Sequence, residues 1–412
     1  MVEFDDFANF IKEGDVKFIR LSFVDLSGRQ KNVSVMADGF EKHLTDGVVI
    51  EGKGAGFPTE PEIRLVPDMG TVHILPWRPQ HGRVARFLSN IKTVSGEDFA
   101  LDTRKVLSDT VAKLKDAGFT SVIGTDSEFY LFCLDTNGDP TFDTQDNAGA
   151  YDIAPLDKGE NVRREICLTM EEIGIDPLSS HHEQGPGQNE ITFVECTPLE
   201  ACDNYVIFKS VVKAIASRNG LYASFMPKPL SDEHGNGLTI NFDIKKDKKS
   251  IFVSNEALAD AFIAGVRRRA RECALFAHSV PNSFDRLATY KQITNVAIED
   301  KRDAFMRYTN KHGDKKLALR APDNACNLYL TVSLALRAGL EGINEGLKAD
   351  SVGPAVLPTT FKEAIREAES SAFLKEVLGE KLLTAYLAEK KKAAEEYEKD
   401  ADEYTKKEFE RL

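Results

Sequence analysis

The sequence predicts an α+β chain, with a small β-rich domain over residues 1–98 followed by a larger mixed domain of catalytic size over residues 99–412. Three observations carry this. Residues 15–35, DVKFIRLSFVDLSGRQKNVSV, alternate apolar and polar positions about the turn signal Asp25-Leu26-Ser27-Gly28, the pattern of a β-hairpin. At Asp102 the period becomes helical: Asp102 can cap a helix in which Leu107, Val111 and Leu114 share a face and which Gly118 ends. Beyond it, strand-like runs alternate with helical ones.

In chain order, further strands are expected at Thr71–Trp77 and Arg83–Ile91, and the longest helices at 199–219, 255–279 and 361–377. The tail from Glu389, dense in both charge signs at helical spacing, reads as a solvated or interface helix. No internal repeat or Pro-rich spacer interrupts the larger domain.

The 412 residues carry 53 Lys and Arg against 66 Asp and Glu, a net charge of −13, so a face that binds a nucleic-acid backbone is not expected. With 42% hydrophobic and 29% charged residues the chain can bury a large core. No run approaches the roughly 18 apolar residues of a membrane span, and the acidic start MVEFDDFANF is unlike a basic leader, so a cytoplasmic location is expected. Cys133, Cys167, Cys196, Cys202, Cys273 and Cys326 form no C-x-x-C pair and read as reduced thiols.

Five segments concentrate chemistry. In Gly124–Phe132 the carboxylates Asp126 and Glu128, at i and i+2 of a strand, point to one face. Two unpaired carboxylates there repel, and a hard cation relieves them; a solvent-facing acidic edge is the alternative. The second segment, His181-His182-Glu183-Gln184-Gly185-Pro186-Gly187-Gln188-Asn189-Glu190, folds Glu183 and Glu190 toward each other around a Gly-Pro-Gly turn. Carboxylates from separate strands suit Mg²⁺ or Mn²⁺; the His pair could instead suggest zinc, but H-E-x-x-H spacing is lacking, and a structural or substrate-facing histidine is an equal reading. The third, Ser224–Pro229 leading to Gly235–Asp243, sets Thr239, Asn241 and Asp243 on one strand face opposite Leu238, Ile240 and Phe242. Asn282–Leu287 and Lys316–Asp323 contribute Arg286 and Arg320, natural partners of a carboxylate or phosphate.

Together these segments closely resemble the glutamine synthetase family over almost the whole chain, above all in the string H-H-E-x-x-P-G-Q-x-E of residues 181–190. The resemblance implies an N-terminal β-grasp domain and a catalytic domain with helices on an antiparallel sheet. It further implies an ATP-dependent ligase that phosphorylates the side-chain carboxylate of glutamate, or of a related acid, and lets ammonia or an amine displace the phosphate, with Mg²⁺ or Mn²⁺ assisting. Carried over residue by residue, Glu128, Glu183 and Glu190 would hold one metal and Asp126 would serve the nucleotide-side metal. Arg286, Arg320 and Gly235 would contact the acid, Lys228 and Lys316 the nucleotide, and Glu51, Arg286 and Arg302 would act in catalysis. Assembly into stacked hexameric rings is implied too, with Glu51 serving the adjacent subunit; the expected partners are small molecules, with no nucleic acid and no membrane.

The sequence departs from the pattern in the N-terminal loop Glu51-Gly52-Lys53-Gly54, in Glu299 to Arg307, where Arg302 is the nearest match to the family's arginine, and at three single positions. Where the family has a His and a Glu on the nucleotide-side metal, this chain has Thr239 and Ala318, and Lys291 stands where the family has an acidic flap residue. A divergent ligase with a degraded nucleotide-side metal site is therefore the expectation, and a catalytically silent relative with a binding, regulatory or assembly role is the alternative.

Overall fold

A computed structural model describes residues 4–77, 81–290, 294–299, 304–311 and 314–412. The chain divides into two compact units, Met1–Lys105 with Leu168–Ile175, and Val106–Cys167 with Asp176–Leu412.

The first unit is built on β1 (Val16–Val24), β2 (Gln30–Met36), β3 (Val48–Glu51), β4 (Glu62–Pro67), β5 (His73–Ile74) and β6 (Arg83–Lys92). Among the described residues the strands run in the order β2-β1-β6-β4-β3, with β5 on β6; β1 and β2 are antiparallel and β1 and β6 parallel. The hairpin read from residues 15–35 is thus present, closed by Gly28 in the left-handed region at φ 81°. Alternating side chains of β1 and β6 bury Ile19, Leu21 and Phe87, and Phe7, Phe40 and Phe87 pack with ring centroids about 6 Å apart. The strand expected at Thr71–Trp77 is shorter: Asp68 caps a single turn at Met69–Thr71, and pairing is confined to His73–Ile74. Asp102 caps the helix Thr103–Asp116 through the Arg104 N–H at 3.0 Å and ties it to β6 through the Ile91 N–H at 2.9 Å.

The second unit contains β7 (Phe119–Leu134), β8 (Pro140–Thr144), β9 (Pro177–His182), β10 (Gln188–Phe193), β11 (Leu221–Ser224), β12 (Leu238–Lys246), β13 (Lys249–Ser250), β14 (Met306–Lys311) and β15 (Asp314–Leu319). The main path is β14-β15-β12-β7-β10-β9, antiparallel throughout, and β7 at 16 residues is its spine. One face packs on the helix Pro198–Arg218 through Phe129, Phe208 and Phe225. The polar side chains of β7, β10 and β12 stand on the other.

Two expectations of the helical reading change. The helix expected over 361–377 is two, Phe361–Glu369 and Ala372–Leu378, because the Ser371 hydroxyl accepts from the Leu374 N–H and starts a new helix. The charged tail is not simply solvated. It forms Glu380–Lys399 and Ala401–Arg411, and Phe409 is buried between Phe132, Phe142 and Tyr222 at ring-centroid distances of 5.1, 4.3 and 5.2 Å. The Leu412 carbonyl accepts from the Phe225 N–H at 2.9 Å, which makes the chain end part of the core. No helix among the described residues is long and apolar enough to cross a membrane.

Candidate active site

Strand register builds the site in rows. In the antiparallel pairs, Glu190 lies opposite Glu128 on one side and opposite His181 on the other, so one row across β7, β10 and β9 reads Glu128–Glu190–His181. Directly paired residues share a face, with Cβ atoms about 5 Å apart. Two residues along, Asp126 faces Thr239 on β12 and Thr192 on β10. The hairpin joining β9 to β10 brings Glu183 in, its N–H bonded to the Gln188 carbonyl at 2.8 Å. Gly187 at φ 67° takes a backbone conformation that other residues adopt at a cost, and its N–H donates to Asp146 at 2.8 Å.

Glu128, Glu183 and Glu190 are therefore brought near one another, with His181 among them. His181 Nε2 lies 2.9 Å from Glu183 Oε1 and 4.0 Å from Glu190 Oε1. Burial, and then the charges of Glu183 and Glu190, push the Glu128 carboxyl up to about 8, against the Gly237 N–H and the Arg286 guanidinium. Burial also works to raise Glu183, but the His181 ring and the Gln184 N–H hold it below the usual carboxylate range. These groups fit a divalent cation, since several carboxylates and an imidazole nitrogen are donors of the kind it takes.

A buried frame stands behind the hairpin. His182 uses both ring nitrogens, Nδ1 on the Glu183 carbonyl at 2.7 Å and Nε2 on Asp146 at 3.0 Å. Burial opposes the Asp146 charge, yet the His182 ring and the Lys158 and Gly187 N–H groups hold its carboxyl down at about 2. Arg163 grips Asp157 with both terminal nitrogens and donates to Asn189 at 2.5 Å.

Arg286 is buried behind Glu128. Its Nη1 donates to the Ala321 carbonyl at 2.8 Å, and its buried Nε has no partner among the described residues. Gly237 leaves room for Arg286: a Cβ there would lie 2.8 Å from Arg286 Nη2 and would displace the guanidinium, while the Gly237 N–H donates to Glu128 Oε2 at 2.7 Å. Gly235 lies next to it, its carbonyl accepting from Gln188 Nε2 at 3.2 Å. Lys228 is buried, its Nζ on the Glu233 carbonyl of the loop that leads to Gly235, and burial lowers its pKa. Arg320 follows β15, its N–H on the Phe305 carbonyl at 2.9 Å.

Around Asp126 the chemistry differs. Asn241 Nδ2 donates to both Asp126 oxygens at 3.2 Å, and Lys316 is ion-paired with Glu195. These four side chains, with Gly124 and Thr192, line a cavity of about 170 Å³. Thr239 is buried opposite Asp126, and Ala318 opposite Asn241. Glu51 belongs to the first unit, exposed at the end of β3 and opposite Glu62. Arg302 and Lys291 lie outside the described residues.

Sequence reasoning did not assign His181, Asn241, Glu195 or Asn324 to the site. Asn324 Nδ2 donates to the Glu128 and Gly237 carbonyls at 2.8 and 3.0 Å and so clamps β7 to the Gly237 segment. For His181 the signal was available, because a β-hairpin closed at Gly-Pro-Gly pairs residues 181 and 190.

The comparisons agree with this architecture. The family model described as "Glutamine synthetase, beta-Grasp domain" matches residues 15–94, and "Glutamine synthetase, catalytic domain" matches residues 100–411. Glutamine synthetases of Methanosarcina mazei and Clostridium saccharobutylicum are 37% and 36% identical, over 95% of this chain and 94% and 95% of theirs. A solved structure titled "Apo GmaS without ligand" superposes with a TM-score of 0.86 at 27% identity, covering 96% of this chain and 97% of that one. The Plasmodium falciparum glutamine synthetase shares the fold at a TM-score of 0.88 and 18% identity, over 97% of both chains. The chain thus belongs to the glutamine synthetase family of ligases, with that family's N-terminal β-grasp domain followed by its catalytic domain.

Proposed function

We propose that this protein joins the side-chain carboxylate of glutamate, or of a closely related acid, to ammonia or an amine at the expense of ATP, through an acyl phosphate. The observation that carries the reading is the convergence of Glu128, Glu190 and Glu183 beside the buried guanidinium of Arg286. A cation among those carboxylates, Mg²⁺ or Mn²⁺, would neutralise the oxygens of the transferring phosphoryl group.

In this reading Arg286, with an unpartnered Nε and an immediate glycine neighbour at 237, binds the acid's carboxylate, and Gly235 and Arg320 complete that pocket. Lys228 and Lys316 meet the nucleotide phosphates, Lys316 at the cavity it shares with Asp126. A structure titled "GmaS/ADP complex-Conformation 1", 26% identical with a TM-score of 0.86, supports a nucleotide on this scaffold. Glu51 and Arg302 act on the reacting groups, Glu51 from a neighbouring copy in a ring of subunits.

The experiment is a panel of acids and amines, glutamate with ammonia first, read by phosphate release and by mass spectrometry of the product. The expected result is phosphate release that requires ATP, an acid and an amine, with one amide formed per phosphate. Release with no acid or amine dependence would make the chain an ATP hydrolase rather than a ligase, and none at all from metal-loaded protein would leave it a catalytically silent member of its family.

A further inference from the structure

We infer that His181 is a nitrogen ligand of the cation held by Glu183 and Glu190, and that this donor biases the site toward Mn²⁺ or Co²⁺ over Mg²⁺. The inference rests on reading the carboxylate cluster as a metal site. His181 stands in the same cross-strand row as Glu190 and Glu128, so its side chain shares their face. Donor atoms of His181, Glu183 and Glu190 all lie within 4.8 Å of one another. Two ligands at roughly 2.1 Å from one ion are between about 3 and 4 Å apart, and Nε2 lies 2.9 Å from Glu183 and 4.0 Å from Glu190.

The two adjacent histidines divide their work. His182 is buried with both nitrogens committed to Asp146 and the Glu183 carbonyl, and so fixes the hairpin. His181 aims Nε2 at the acids, and its ring is held from the other side. Tyr151, whose N–H donates to the His182 carbonyl at 3.0 Å, adopts the left-handed region at φ 64° and stacks on His181 at 4.7 Å with planes 19° apart. A bulky residue rarely takes that conformation unless its surroundings hold it there. Tyr151 is otherwise 63% exposed, so the stack is its main packing contact. Glu128 Oε2, by contrast, is already shared with the Gly237 N–H. The affinity of a mixed nitrogen and oxygen site rises along the first transition row from Mn²⁺ through Fe²⁺ to Co²⁺, whereas Mg²⁺ takes oxygen.

Pulsed electron paramagnetic resonance on the full-length protein loaded with Mn²⁺ alone tests this directly. The expected result is a ¹⁴N coupling to bound Mn²⁺ that His181→Gln abolishes, with Mn²⁺ affinity lowered at least on the order of 10-fold and Mg²⁺ affinity changed less. Tyr151→Ala, a change at an exposed side chain, should retain the coupling and weaken Mn²⁺ a few-fold. Bound Mn²⁺ without nitrogen coupling, or coupling that survives in His181→Gln, would overturn the inference and leave the carboxylate site standing. Failure of the wild-type protein to bind Mn²⁺ would instead overturn the metal site itself.

Discussion

Across β7, the row Glu128–Glu190–His181 and the row Thr239–Asp126–Thr192 lie two residues apart on the same face, yet their charges are met in different ways. The first gathers Glu128, Glu190 and the neighbouring Glu183 in one spot, where burial first, and then the charges of Glu183 and Glu190, raise the Glu128 carboxyl. In the second, a single carboxylate receives a neutral amide from Asn241, and the nearby Lys316 and Glu195 neutralise each other. A cluster of like charges that the fold holds together is stored electrostatic energy, and a cation releases it; a carboxylate already bonded to an amide demands much less of one. The comparison teaches where this chain concentrates unrelieved carboxylate charge: in the first row, which the function proposed above assigns to the acid-side cation.

Four changes would break or sharpen it. The largest effect is expected from Arg286→Leu, which removes the buried cation behind the first row. Activity should fall on the order of 10³-fold or more, as for a charge-stabilising arginine in phosphoryl transfer, while Mn²⁺ titration still shows binding. Loss of both together would mean that Arg286 supports the row rather than the acid. Glu190→Gln comes next. Calorimetry should show Mn²⁺ affinity reduced by roughly 10 to 100-fold, and at about pH 9, where Glu128 is ionised, the metal-free protein should melt higher because repulsion with Glu128 is relieved. A lower melting point would contradict the claim that the row is strained by charge.

Asn241→Leu probes the second row. It deletes the amide donor to Asp126, and urea titration should show a loss of about 1–2 kcal/mol, with metal affinity at the first row nearly unchanged. The last test is a pH slope. Glu128 is raised from the ordinary 4.5 to about 8, first by burial and then by Glu183 and Glu190. Between those values the folded chain keeps a proton that the unfolded chain has lost, so stability of the metal-free protein falls as pH rises through that window. Urea midpoints in chelator at about pH 5 and about pH 8 should show the fall, and Glu128→Gln should flatten it; an equal slope in the variant would place the titrating group elsewhere.

What was legible in the sequence follows what is local. The β1–β2 hairpin, the Asp102 cap and the shared face of Asp126 and Glu128 depend on neighbours a few residues apart, and all are present. The acids Glu183 and Glu190 were readable because a Gly-Pro-Gly turn joins them. Features that join distant segments were not. Asn241 reaches Asp126 and Lys316 reaches Glu195 only because β12 lies beside β7, and β15 beside β12, in the sheet order. Burial of Phe409 and Leu412 in a charged tail likewise depends on Tyr222 and Phe132. The departures at Thr239 and Ala318, with Asn241 and Lys316 on the same strands, were visible residue by residue, but what they face across the sheet emerges only from the register.

The most direct test of the central claim follows one oxygen atom. With glutamate labelled with ¹⁸O in its side-chain carboxylate, ATP, a divalent metal and the amine that performs best in the panel, the account predicts one labelled oxygen in each phosphate released and an amide that has lost it. Phosphate free of label would contradict an acyl-phosphate ligase at this site.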